Sequence, residues 1–380
     1  MSTSTETFMP DYIITPGEIL EETLEARGIK KKEFAERCGR TAKMISEIIA
    51  GKAAITPETA LQFEKVLGVS ARLWSNLEAR YRLKLAEEVE HKDLEKHKEI
   101  LGRFPVNSLV KFGFLDKESN PAEQLKKVLS FFGVASVDAL SQWHNIQKAY
   151  YRASEKFDSN EFSVAAWLRC GQIQAEDIET KSYNADKFKS ALKKIRELTR
   201  EPIDSAFPQA QEICAEAGVA LTIIPEFNGT RLSGAARWLT KEKALIQLSG
   251  RYKTEDSFWF TFFHEAGHIL LHGKKELFID MEPASSVINL EAEANSFSQN
   301  TLIPKAEWRE FEMMCLNPDS EFIETFAAEQ RIAPGIVLGR LLHENVIRYQ
   351  SYQYKILSKL RVKLDEKRLF SLSSRNSAVN

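Results

Sequence analysis

Apolar positions in the first 85 residues come in short helical bursts, the first four of them closed by a glycine. Thr15-Pro16-Gly17-Glu18 reads as a helix start: Thr15 caps, Pro16 suits the first helical position and Glu18 completes a capping box. Ile19, Leu20, Thr23 and Leu24 line one face before Gly28 ends the helix. Lys31 to Cys38 predicts a second helix with Phe34 and Ala35 inward, and Gly39 a turn. Thr41 caps a third helix through Ile49, which stops at Gly51. Thr56-Pro57-Glu58-Thr59 opens a fourth helix ending at Gly68, and Leu73 to Leu85 reads as a fifth. Residues 86–99, AEEVEHKDLEKHKE, mix both charges at helical spacing and predict an exposed connector. Helical periodicity continues from about 100 to 200, with Phe131, Phe132, Trp143 and Trp167 available for packing, and no motif appears there.

The pattern changes near residue 207. Gln209 to Ala217 is helical and ends at Gly218. Val219–Ile224, Gly234–Leu239 and Ala244–Ser249 are strand-like runs, which predict a small antiparallel sheet. A long apolar helix follows around residue 260, then a helix from about Leu290 to Leu302 stopped by Pro304, then further helices to about 348. Residues 351–380 are basic and then Ser/Asn-rich, the composition of a frayed tail. The fold class expected is mostly α with one small α+β domain.

At 380 residues the chain has room for two or three domains, and its 43% apolar and 28% charged fractions are those of a soluble globular protein. A formal net charge of −2 excludes a global attraction to nucleic acid, so any such binding needs a local patch. Cys38, Cys170, Cys214 and Cys315 lie far apart with no C-x-x-C spacing, which suits free thiols in a cytosolic protein. The opening MSTSTETFMPDY lacks the layout of a signal peptide, and no apolar run approaches the roughly 18–20 residues of a membrane span. A cytoplasmic location without membrane association is expected.

The chemistry concentrates at His264-Glu265-Ala266-Gly267-His268, an H-E-x-x-H pattern. One helical turn separates the histidines, so both imidazoles leave the same face and can grip one metal ion. Glu265 then sits where it can take a proton from a water activated by that metal. The flanks Phe258-Trp259-Phe260-Thr261-Phe262-Phe263 and Ile269-Leu270-Leu271 are apolar, so three ionisable groups between them would be costly to bury without a role. A catalytic zinc takes three protein ligands. His272 continues the four-residue spacing, but it lies a helical rise of about 12 Å from His264, too far for one ion; a helix-end histidine favoured by the dipole is the better reading. The helix Leu290-Glu291-Ala292-Glu293-Ala294-Asn295 offers more. Glu291 and Asn295 share a face, which allows a ligand and a partner for a ligand histidine. Glu293 points about 200° around from Glu291, so only one of the two should bind; Glu291 is preferred and Glu293 is the alternative.

HEAGHILLH, followed by EAEANSF and then LIP, resembles the ImmA/IrrE metallopeptidases over roughly Cys214 to Arg340. The resemblance implies that His264, His268 and Glu291 bind one Zn2+ and that Glu265 is the general base. It also implies a cytosolic protease acting on very few targets, typically a DNA-binding repressor. Ser298 departs from the alanine usual in that family. No second donor for an oxyanion is identifiable; Arg237, Arg251 and Tyr252 are near in sequence, but each reads better as a structural or surface residue. Leu245 to Ser249 is either a plain core strand or a sheet edge on which an extended substrate could add.

The landmarks PGEIL, ISEIIAGK, ITPETAL and the LW-NL-Y tail, over about residues 15–85, resemble the XRE class of helix-turn-helix proteins, and most of all HigA-type antitoxins. The resemblance implies that the Thr41–Ile49 helix enters the major groove, with Thr41, Ala42, Lys43 and Ser46 toward base edges and Arg40 and Lys52 toward phosphates. Met44, Ile45 and Ile48 pack inward. Between Thr15 and Lys84 there are 13 Lys/Arg against 10 Glu, only a modest positive excess.

The expected organisation is a flexible tail (1–14), a helix-turn-helix domain (15–85), a helical linker or middle region (86–200), an ImmA/IrrE-like domain (201–350) and a C-terminal tail (351–380). The expected function is a transcriptional regulator with a zinc endopeptidase domain that cleaves a repressor or antitoxin-like partner. Its expected partners are a double-stranded DNA operator, a protein substrate and a second copy in a homodimer. The alternative is a HigA-like repressor whose zinc domain senses a signal or binds a toxin without proteolysis.

Overall fold

The computed structural model describes residues 14–142, 160–272, 284–314 and 318–374. Trp143, Cys315 and residues 1–13 of the expected flexible tail lie outside the described residues. The chain divides into two compact units, one reaching Lys98 and including Pro121–Glu123, the other made of Glu99–Asn120 and Gln124 onward. No described helix is long and apolar enough to cross a membrane. Cys38, Cys170 and Cys214 are free and buried.

Among the described residues up to Lys98, the first unit is built of α1 (Pro16–Ala26), α2 (Lys31–Arg37), α3 (Ala42–Ile49), α4 (Pro57–Leu67) and α5 (Ala71–His97). At α1, Thr15 and Glu18 form the reciprocal capping box read from the sequence, with Glu18 N–H donating to Thr15 Oγ1 at 3.0 Å. Leu20, Leu24, Phe34, Ile45, Ile48, Phe63 and Trp74 make one core. Phe63 lies 5.0 Å from Phe34 and packs edge-on to Trp74 at 5.6 Å between ring centroids. Gly17 is where α1 meets the end of α3: a Cβ there would lie 2.3 Å from the Ile49 carbonyl oxygen. α5 runs well past Leu85 and takes in most of the mixed-charge stretch, because residues 86–97 contain neither Gly nor Pro.

The second unit is built on β1 (Val219–Ile223), β2 (Gly234–Trp238) and β3 (Ala244–Leu248), in the order β1-β3-β2. β3 is central, parallel to β1 and antiparallel to β2. The all-antiparallel sheet expected from sequence is therefore corrected in one pair. β1 and β3 are buried at every residue, the behaviour of strands covered on both faces. Val219, Leu221, Ile223, Ala244, Ile246 and Leu248 join the main core. Ala220 and Leu245 face the other way, onto Ala175 of the helix Glu161–Asp177. That helix is locked to the sheet: Trp167 Nε1 donates to the Ile224 carbonyl at 2.8 Å, and Gln247 Nε2 donates to the Trp167 carbonyl at 2.6 Å.

Two expected boundaries are corrected by this packing. The 86–200 linker gives way well before residue 200, since Phe188, Ala191, Leu192 and Ile195 of the next helix sit in the same core as β1 and β3. The C-terminal tail is folded through Ser374. Ser351 caps the helix Tyr352–Leu357, Lys363 bridges to Thr254, and Leu364 N–H donates to the Lys253 carbonyl at 2.8 Å. Leu357, Leu364, Leu369 and Leu372 are buried, which is the apolar content that holds this segment down. Arg361, read as part of a basic tail, grips Asp256 through contacts of 2.6 to 3.1 Å.

Candidate metal centre

The H-E-x-x-H pattern lies on the motif helix, Glu255–Gly267, which continues into a π turn over His268–His272. Phe258, Trp259, Phe262, Phe263 and Ala266 bury one side of it in the core. The opposite side meets the facing helix, Ala284–Leu302. Gly267 makes that approach possible, because a Cβ there would lie 3.3 Å from Ala294 Cα and 3.1 Å from the Phe297 ring. Ser298, the departure from the family pattern, is fully buried and its hydroxyl donates to the Phe260 carbonyl at 2.9 Å, tying the two helices together.

These contacts bring His264, His268 and Glu291 to one point. The two Nε2 atoms are 3.1 Å apart, and the carboxylate oxygens of Glu291 lie 3.4 Å from His264 Nε2 and 3.3 Å from His268 Nε2. Donors on a tetrahedron with bonds near 2.0–2.1 Å are separated by about 3.3–3.4 Å, so this triangle has the size a zinc ion needs. Among the described residues it is the one cluster of His, Cys, Asp and Glu that could hold a metal ion. Hydrogen bonds from both imidazoles hold the Glu291 carboxyl far below the usual carboxylate range. Burial works to lower His264, but its hydrogen bond to Glu291 and the charges of Glu265 and Glu291 outweigh that and raise it. On its other ring nitrogen, His264 Nδ1 meets Asn295 Oδ1 at 3.0 Å, the contact anticipated from the spacing of Glu291 and Asn295.

Glu265 stays outside the triangle. It is 7% exposed, and burial pushes its pKa up against the lowering effect of His264 and His268. Its carboxylate accepts from the Ala236 backbone N–H, which places β2 directly against it. Gly234 is the residue that permits this, since a Cβ there would stand 2.8 Å from Glu265 Oε1 and 2.7 Å from Thr261 Cγ2. β2 is an edge strand. Leu239 N–H bonds to the Lys243 carbonyl and Ser249 N–H to the Ser233 carbonyl, so by alternation the backbones of Gly234, Ala236 and Trp238 face away from β3.

The other residues weighed from the sequence lie around this site. Leu245–Leu248 belongs to the central strand, and the edge strands of the sheet are β1 and β2. The Arg237 guanidinium donates to the Leu168 carbonyl, and Arg251 bonds to the Arg231 carbonyl and lies 3.6 Å from Glu226. Tyr252 is exposed, beside Arg251. Glu293 is outside the donor triangle and reaches His272, whose pKa is lowered by burial first and by the charge of His268 second. The four-residue spacing of His268 and His272 was a usable signal for the 2.9 Å contact between their Nδ1 atoms, but the π turn that carries His272 was not legible.

In the first unit, Thr41 caps α3 by accepting from Met44 N–H at 3.2 Å. Thr41, Ala42, Lys43 and Ser46 are exposed, while Ile45 and Ile48 are buried and Met44 packs against the core. Lys43 lies 3.8 Å from Glu47, and Ser46 Oγ donates to the Ala42 carbonyl. Arg40 is half-buried, with Nε donating to Gln62 Oε1 at 2.6 Å, and Lys52 is exposed just after α3.

Residues 20–74 match the helix-turn-helix family model, and residues 214–328 match a peptidase family model, the IrrE N-terminal-like domain. The chain is also 36% identical over 72 residues to the uncharacterized HTH-type transcriptional regulator YddM of Escherichia coli (strain K12), covering 19% of this chain and 77% of that protein. It is 37% identical over 76 residues to virulence-associated protein I of Dichelobacter nodosus, covering 20% of this chain and 70% of that one. A solved structure of a HigA-family addiction module antidote protein from Coxiella burnetii shares 32% identity, with a TM-score of 0.21, over 22% of this chain and 92% of its own. The chain thus belongs to the helix-turn-helix transcriptional regulators, joined here to an IrrE-like peptidase domain.

Proposed function

We propose that this chain is a cytoplasmic DNA-binding regulator whose second unit is a zinc endopeptidase acting on a repressor or antitoxin-like protein. The observation that carries the reading is the donor triangle of His264, His268 and Glu291 with the buried Glu265 beside it. Those three residues would hold the ion, and zinc bound there would supply Lewis acidity and lower the pKa of a water toward about 7. Glu265 serves as general base: its raised pKa suits a carboxylate that takes a proton from the attacking water and returns it to the leaving amine. The Ala236 N–H orients that carboxylate. The outer side of the edge strand β2 gives an extended polypeptide a strand to pair with, which draws its scissile bond over Glu265.

The first unit supplies the address on DNA. α3 enters the major groove with Thr41, Ala42, Lys43 and Ser46, while Lys52 and the anchored Arg40 meet phosphates. Two copies bind as a homodimer to half-sites about one helical turn apart. A second reading is favoured by the short helix-turn-helix relatives, of which the matched module makes up 70–77%. In it the chain is a HigA-like repressor whose metal site senses a signal or binds a toxin.

Glu265→Gln separates the two, because it removes the proton acceptor and leaves the donor triangle intact. Under the peptidase reading, cells carrying it keep the target protein whole and the regulated genes silent under inducing conditions. Wild-type regulation by Glu265→Gln, with His264→Ala defective and no partner cleaved in vitro in the presence of zinc, would replace that reading with the sensor.

A further inference from the structure

The two histidines of the donor triangle are held from behind in different ways. His264 Nδ1 meets a neutral amide, Asn295 Oδ1, at 3.0 Å. His268 Nδ1 instead meets another imidazole, His272 Nδ1, at 2.9 Å. His272 Nε2 then stands 3.3 Å from Glu293 Oε2. The His272 side chain is 2% exposed, whereas the Glu293 carboxylate is largely solvated. The π turn over His268–His272 carries both rings, which lie 5.0 Å apart between centroids.

A neutral imidazole has one N–H and one bare nitrogen, so the protons in such a chain are not independent. If His268 Nε2 is kept bare toward the triangle, its proton is on Nδ1 and is donated to His272 Nδ1. His272 must then carry its own proton on Nε2, where it is donated to the Glu293 carboxylate. Every contact is satisfied by this one assignment, and the chain ends on an anion. A carboxylate behind a ligand imidazole fixes its ring and tautomer and raises its basicity.

We propose that Glu293 and His272 form a two-step positioning relay for His268, so that Glu293, without ligating a metal, sets how tightly the site holds one. The relay rests on the metal-site reading above, and it makes the two glutamates of the facing helix do different work: Glu291 ligates and Glu293 positions. Because Glu293 acts only through His272, the two residues work in series, and their effects on metal affinity do not add.

The test is zinc affinity of the purified full chain, measured by competition with a chromophoric chelator. Glu293→Gln keeps the size of the side chain and removes its charge; it should weaken zinc binding about 10- to 100-fold. His272→Ala should weaken it by a similar factor, and the double variant by no more than the worse single one. His272→Asn keeps a hydrogen-bond acceptor near the position of Nδ1 but cannot reach Glu293. It should recover part of the loss and make affinity indifferent to Glu293→Gln. The d–d spectrum of the cobalt-substituted protein should stay that of wild type in Glu293→Gln, since no donor atom has changed. Affinity within about twofold of wild type in both single variants, or multiplying losses in the double, would overturn the relay alone. A site emptied by Glu293→Gln as fully as by Glu291→Ala would make Glu293 a ligand and overturn it too. A wild-type chain that binds no zinc would remove both the relay and the metal site.

Discussion

Arg361→Met should destabilise the second unit by about 3–5 kcal/mol, because it strips the partner from a buried carboxylate. Arg361 and Asp256 are 10% and 5% exposed in their side chains, and Arg361 Nη2 also donates to Thr254 Oγ1 at 3.0 Å and Ser257 Oγ at 3.2 Å. Asp256 sits in the first turn of the motif helix, in space left by Gly335 and Gly339, where an added Cβ would fall 3.6 and 2.9 Å from Asp256 side-chain atoms. For a unit of this size each kcal/mol shifts the midpoint by about 2–4 °C, so the calorimetric transition of the second unit should fall by roughly 6–20 °C. Asp256→Leu together with Arg361→Met removes both charges and should recover most of that loss, as replacing a whole buried pair commonly does. A loss below about 1 kcal/mol in Arg361→Met, or a double variant worse than the single, would refute the role given to this ion pair.

Gly17→Ala places a methyl 2.3 Å from the Ile49 carbonyl oxygen, so it should cost the first unit at least about 1–3 kcal/mol in denaturant titration and weaken DNA binding with it. Lys43→Ala with Ser46→Ala should leave that stability within about 0.5 kcal/mol, since both side chains are exposed, yet lower affinity for the specific operator in a footprint. Equal affinity of the wild type for its own promoter and for random DNA would count against the reading of α3.

The helices of the first unit were legible because their signals are local. Thr15 with Glu18, Thr41, and Thr56 with Pro57 announce their caps within four residues, and the structure uses each of them. The donor triangle was legible for a related reason, as two of its members are fixed by one helical turn and the third by Glu291 sharing a face with Asn295. What failed was non-local. The order of the strands depends on which helices cover them, so the three apolar runs gave no sign of which one lies at the centre of the sheet. Arg361 looked like one more charge in a basic tail because its partner, Asp256, lies more than a hundred residues away. The Glu161–Asp177 helix, buried at Phe162, Val164, Ala166, Trp167 and Leu168, has no amphipathic stripe to reveal that it covers a sheet. The role of His272 depends on a local change from α to π winding, which the residue spacing does not encode.

The central claim is that His264, His268 and Glu291 hold a metal while Glu265 serves it without holding it. Metal content after dialysis tests this most directly, measured by elemental analysis on purified wild type, His264→Ala and Glu265→Gln. About one zinc per chain in the wild type and in Glu265→Gln, with little in His264→Ala, is the predicted result. Equal zinc in wild type and His264→Ala, or zinc lost from Glu265→Gln alone, would contradict it.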